Sequence, residues 1–206
     1  MKFQMLDDRR GYSLIEILMV VAIFGIVSAI AIPQMGKLFG FYRLSGDARS
    51  LSDSVAGAKM RASSEFSQAR VYVDLTGRTF LTQSWDKTNL VWKTEGGSTS
   101  LSSNVSFGFG SVSTPPSNTQ GTIAQAPQCT DDTGKTTPGT GNAVANTACV
   151  TFNSRGVPVD TTNAPTAADA IYVTDSSAVY VITIAATGMV RSWQTPATSS
   201  PHWVLN

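Results

Sequence analysis

The chain has 206 residues, 15 Lys or Arg against 14 Asp or Glu, and a formal net charge of +1. A balance so close to zero excludes the broad basic field by which many nucleic-acid binders gather phosphate. A single histidine and two cysteines exclude a zinc cage built from Cys and His.

The first feature in chain order is "RRGYSLIEILMVVAIFGIVSAIAIP", Arg9 to Pro33. Between Tyr12 and Ile32 the one charged residue is Glu16, and the run is close to the roughly 20 residues a helix needs to cross hydrocarbon. Lys2, Arg9 and Arg10 outweigh Asp7 and Asp8 before it, so the positive-inside tendency keeps the N-terminus cytoplasmic and sends the body of the chain outward. An isolated carboxylate inside such a segment is costly, which marks Glu16 as functional and requires a partner for it. The alternative is an ordinary secretory signal cut at "AIA", Ala29 to Ala31; a cleavable apolar core has no use for an acid, and Pro33 would lie just past the cut.

Beyond Pro33, the apolar residues Phe41, Leu44, Ala48, Leu51, Val55, Ala58, Ala62 and Phe66 recur at spacings of three and four, one face of a helix. The opposite face carries Arg43 with Asp47, Arg49 with Asp53 and Arg61 with Glu65, each at i,i+4 in the weaker base-first order. A helix from Tyr12 to about Ser67 would be on the order of 84 Å long, more than a domain encloses. Pro33, Gly36 and Gly40 predict a kink or partial unwinding where it leaves the bilayer.

From Val71 the period changes to two. "RVYVDL", "RTFLTQSW" and "LVWKT", separated by turn residues, predict a three-strand meander, with Trp85 and Trp92 packed toward the helix. Further strands are expected at "NVSFGF", "CVTFN", "AIYVTD", "AVYVITIA" and "MVRSW". Between Phe109 and Cys149 the composition is Ser, Thr, Pro, Gly, Asn and Gln, which predicts a surface loop. About 170 residues follow the membrane segment, enough for one domain. Cys129 and Cys149 fall in this exported part, where an oxidising compartment favours a disulfide over two free thiols. Closing a loop of about 20 residues stabilises by about 3 kcal/mol on the chain-entropy argument.

Gly11, an aromatic, "SLIE" and a long apolar run ending at Pro33 together resemble the class III leader of type IV pilins and pseudopilins. The resemblance implies cleavage by a prepilin peptidase after Gly11 and N-methylation of Tyr12, which departs from the usual phenylalanine or methionine. It also implies that Glu16 pairs with the free α-amino group of a neighbouring subunit, so that one axial register neutralises both buried charges. "VTFNSRGVP", "AIYVTD" and "AVYVITIAATGMVRSW" resemble the GspH/FimT group of minor pilins and pseudopilins.

The expected fold is therefore α+β and pilin-like: a long N-terminal helix, transmembrane in its first half and kinked near Pro33, packed on an antiparallel β-sheet domain. The expected parts are a leader at 1–11, a transmembrane segment at 12–36, and a periplasmic or extracellular domain at 37–206. The expected partners are other pilins or pseudopilins, the prepilin peptidase, the inner-membrane assembly platform, and inner-membrane lipid before assembly. Localisation follows as single-pass inner membrane, then pilus or pseudopilus. No cofactor is expected and no enzymatic role, since a Ser-His-Asp triad would have to use His202, in a tail expected to fray. Asp131 and Asp132 leave an oxygen-ligand calcium site open, and Trp203 is the aromatic expected to be an exposed contact. Some FimT-like proteins bind DNA through Gly-Arg-x-Arg in the final hairpin; the equivalent residues are Gly188, Met189, Val190 and Arg191, so one arginine is missing, and Arg155 with Arg191 forms the candidate DNA contact.

Overall fold

The computed structural model describes residues 12–167 and 169–206, with residues 33, 34 and 37 described by backbone alone. The leader and Gly11 lie outside the described residues. The chain divides into two compact units between Phe39 and Gly40.

The one long helix, α1, runs Leu14–Ser64. It begins where the Ser13 carbonyl accepts the amides of Glu16 and Ile17, at 3.0 and 3.2 Å. Helix continues without a break through residues 33–40, so of the two expected alternatives, a kink or partial unwinding, the unwinding is absent. A proline removes one backbone donor, and the flanking turns of an apolar helix can carry that loss. In the first unit, Leu14–Ile32 is long and apolar enough to cross a membrane, and none of it is buried within the chain.

In the second unit, α1 supplies Leu44, Ala48, Leu51, Val55, Ala58 and Ala62 to the main core, each almost fully buried. The two ends of the expected face behave differently: Phe41 and Phe66 are 46% and 76% exposed. Helical periodicity fixes a direction but not where the covering sheet stops. The expected i,i+4 pairs are also mostly absent. Arg61 and Glu65 meet at 3.2 Å, whereas Asp47 accepts from the amide and hydroxyl of Ser102 and Arg43 donates to Ser103.

The strands are β1 Ala69–Asp74, β2 Thr79–Asp86, β3 Val91–Ser100, β4 Ser106–Phe107, β5 Thr130–Asp131, β6 Asn142–Ala143, β7 Thr147–Phe152, β8 Pro158–Val159, β9 Asp169–Thr174, β10 Ala178–Ile184, β11 Val190–Pro196 and β12 Val204–Leu205. They form two five-stranded antiparallel sheets, ordered β3-β2-β1-β7-β8 and β12-β11-β10-β9-β4, with a small β5-β6 ribbon. The three-strand meander is present as β1 to β3. Val71, Val73, Phe80, Val150 and Phe152 of the first sheet join Ile171, Val173, Tyr180, Ile182 and Ile184 of the second around the helix.

The alternation of strands puts every other residue on the outer faces, and both faces are covered. Trp85 and Trp92 stand opposite each other across β2 and β3, on the parity of Gln83 and Arg70 rather than that of Val71 and Phe80. They therefore face away from the helix, contrary to expectation. On the second sheet, Ala170, Tyr172, Val179 and Val181 make a second buried cluster with Val112, which explains why β9 and β10 read as near-continuous apolar runs. Trp203 joins that cluster: its ring lies 6.2 Å from that of Tyr172 and its indole N–H donates to the Thr114 carbonyl at 2.9 Å. The tail is thus pinned as β12 rather than frayed.

Candidate functional site

At the head of α1, Glu16 lies in the first helical turn, where the partial positive charge of the helix end favours an acid. The spacing Ser13-x-x-Glu16 would also suit a capping box, yet the Glu16 carboxylate has no hydrogen-bond or ion-pair partner among the described residues. It stands between Ile15 and Ile17, both exposed, beside an 82% exposed Tyr12. The arrangement is an exposed carboxylate on a naked apolar helix, and no described residue answers it.

The polar stretch after Phe109 is a cover rather than a free loop. Cys129 and Cys149 are bonded, with an S–S distance of 2.06 Å and Cα atoms 4.9 Å apart. The bond ties the stretch to β7, and Ala126, Cys129 and Thr130 are buried beneath it. Asp132 is fully buried. One carboxylate oxygen accepts the Gly141 amide at 2.7 Å, and the other accepts the Trp92 indole N–H at 2.8 Å and the Thr130 hydroxyl at 2.9 Å. Burial pushes its pKa up, but hydrogen bonds from Gly139, Trp92, Gly141 and Thr130 outweigh that and hold it below the ordinary value. Gly141 is needed for this approach, because a Cβ there would lie 1.8 Å from the Asp131 carbonyl. With its lone pairs taken by donors, Asp132 is not available to calcium, and no group of three or more His, Cys, Asp or Glu able to hold a metal occurs among the described residues.

Arg155 and Arg191 are both exposed. Arg155 sits in the turn closed by Asn153 and Val157. Arg191 is on β11, its Nε donating to the Met189 sulfur at 3.2 Å. The two turns abut: a Cβ on Gly188, whose φ is +73°, would meet the Gly156 carbonyl at 2.2 Å. Sequence reading missed Lys59, which reaches between them from α1 and donates to the Gly188 carbonyl at 2.8 Å. One of its ammonium protons is thereby taken up by the backbone. His202 is exposed, and its backbone amide donates to the Thr195 hydroxyl.

Sequence reading also missed Asp169, which is 5% exposed and whose carboxylate has no hydrogen-bond partner among the described residues. Burial, and secondarily the charge of Asp160, raise its pKa to about 6.

Comparison with known proteins gives a match between residues 6–32 and the family described as the prokaryotic N-terminal methylation motif. The segment contains Gly11, Tyr12 and Glu16. No curated protein matches the chain. Among solved structures, the chain is similar to the minor pseudopilin EpsH from the type 2 secretion system of Vibrio cholerae, at 11% identity and a TM-score of 0.36, over 80% of this chain and 96% of that one. So loose a superposition transfers no residue roles.

Proposed function

We propose that the chain is a non-enzymatic pilin- or pseudopilin-type subunit. It is inserted in the inner membrane with its domain in the periplasm, cut after Gly11 by a prepilin peptidase, methylated on Tyr12, and drawn into a filament by its apolar helix. The observation that carries this reading is Glu16, a carboxylate without a partner among the described residues on an exposed apolar helix, inside the matched methylation motif. Two unpaired charges in low dielectric, the Glu16 carboxylate of one subunit and the Tyr12 amine of another, are relieved together at one register. The finer assignment is to a minor subunit of the GspH/FimT kind that primes, caps or decorates a type IV pilus or a secretion pseudopilus through the assembly platform; what supports it is the sequence resemblance at 150–158, 170–175 and 178–193.

The experiment is Glu16→Ala in the full chain. Export and cleavage continue while incorporation into sheared filaments falls sharply; wild-type incorporation would remove the assembly role from Glu16.

A further inference from the structure

Both ends of the helix within the domain are left open, at Phe41 and at Phe66. Phe66 lies just past the end of α1 with φ 48° and is 76% exposed. The Ser67 amide donates back to the Ala62 carbonyl at 3.2 Å, a helix stop whose left-handed position ordinarily belongs to glycine or asparagine. The Lys87 ammonium donates to the Phe66 carbonyl. A bulky residue in this conformation bears strain, and its exposed ring gains little packing among the described residues to offset it. Strain and exposure together point to a use outside the chain.

The other end lies about 38 Å away along the helix, at 1.5 Å per residue. There a groove opens between α1 and the helix-facing side of β11 and β12. One hollow, about 320 Å³, is lined by Phe41, Ala178, Pro196 and Val204 among others. A second, about 300 Å³, shares Phe41 and is lined by Arg49 and Tyr180. Arg49 has no ion pair among the described residues, and the buried Tyr180 hydroxyl makes no hydrogen bond. Burial raises its pKa, and the nearby Ser45 hydroxyl and Arg49 guanidinium oppose that.

We propose that Phe66 of one copy seats in this groove on a second copy, with Glu65 brought to Arg49. The inference rests on the filament-subunit reading and adds a specific contact between domains. The apolar hollow matches the ring, and the free cation matches the acid beside it. The internal partner of Glu65, Arg61, is an exposed i,i+4 contact at 3.2 Å that is readily exchanged. The two patches differ and lie at opposite ends of one element, so the contact is heterologous. A heterologous contact joins two copies head to tail instead of closing a two-fold dimer, wherever copies of this chain are neighbours in the filament.

The test uses the full chain in its own cells, with the photo-crosslinker p-benzoylphenylalanine at position 66. The expected product joins position 66 to residues 41–49 or 192–206 of a second copy. Capture of a different protein, capture of another surface, or no product overturns the proposal. In parallel, Phe66→Gly relieves the backbone, so its unfolding midpoint equals or exceeds that of the parent, while filament incorporation falls about tenfold or more with the loss of an aromatic anchor. Phe66→Asn, also suited to the left-handed region, behaves the same way. Parental incorporation of both variants sinks the contact while leaving the filament reading intact. If Glu16→Ala is also incorporated normally, the filament reading falls and the contact falls with it.

Discussion

The guanidinium of Arg70 lies over the ring of Trp92, with its central carbon 4.0 Å from the ring centroid. Both belong to the outer face of the first sheet, where the disulfide-tied cover closes over them. Arg70 is 4% exposed; it donates from Nε to Gln83 at 2.8 Å and from a terminal nitrogen to the Thr130 carbonyl at 2.9 Å. Burial lowers its pKa to about 10, and the charge of Asp132 opposes that most strongly. Trp92 in turn binds Asp132 through its indole N–H. A cation, an aromatic ring and an acid thus join β1, β3 and the cover in one buried polar unit.

Removing the acid tests that unit. Asp132→Ala strips the partner from the Trp92 N–H, the Thr130 hydroxyl and the Gly141 amide, and leaves Arg70 without its strongest countercharge. The expected loss is about 3 kcal/mol, the usual cost of breaking a buried charged network from one side. Chemical unfolding of the domain beginning at Gly40 measures it, since that unit has its own core. A change below about 1 kcal/mol, the value of one ordinary hydrogen bond, would mean that the cover is not anchored by Asp132.

The disulfide bears on the same cover. Its sequence separation is 20, so replacing Cys129 and Cys149 together by serine costs about 3 kcal/mol on the chain-entropy argument. The check is the unfolding midpoint of the double variant against the oxidised parent, with and without reductant. Reductant should bring the parent's midpoint down to that of the variant and leave the variant unmoved. Equal midpoints for oxidised parent and variant would refute the stabilising role.

The sequence made some of these parts legible and hid others, for separable reasons. Leu44, Ala48, Leu51, Val55, Ala58 and Ala62 announce a buried face because helical spacing and burial coincide there. Phe41 and Phe66 carry the same spacing, yet their exposure depends on where β-strands far along the chain stop, which no local pattern encodes. Glu16 was conspicuous because a charge in an apolar run has few innocent explanations. The burial of Asp132 is hidden for the opposite reason: it lies in a polar stretch predicted as a surface loop, and only the tertiary donors Trp92 and Gly141 make its burial tolerable. The groove at Phe41 was invisible because it needs β12, two residues in a tail whose composition suggests fraying.

Asp169 supplies a prediction in which pH sets the sign. Its pKa is about 6 in the folded chain, raised first by burial and then by the charge of Asp160, against about 3.9 for an aspartate in an unfolded chain. The folded state therefore holds this proton more tightly than the unfolded state does. The stabilisation is complete below about pH 4 and is lost as pH rises through about 6, an effect of roughly 2–3 kcal/mol. Other carboxylates work in the reverse direction: hydrogen bonds from Asn89 hold Asp86 below its ordinary value, and those from Thr162 do the same for Asp160. The clean quantity is thus the difference between parent and Asp169→Asn, which keeps the shape and removes the charge. The variant should be more stable than the parent at pH 7.5 by about 2 kcal/mol, and the difference should shrink toward zero at pH 4. Urea unfolding of the domain at both pH values decides it. A difference that stays constant across this range would show that Asp169 is ionised in the fold without penalty, and that its burial is compensated.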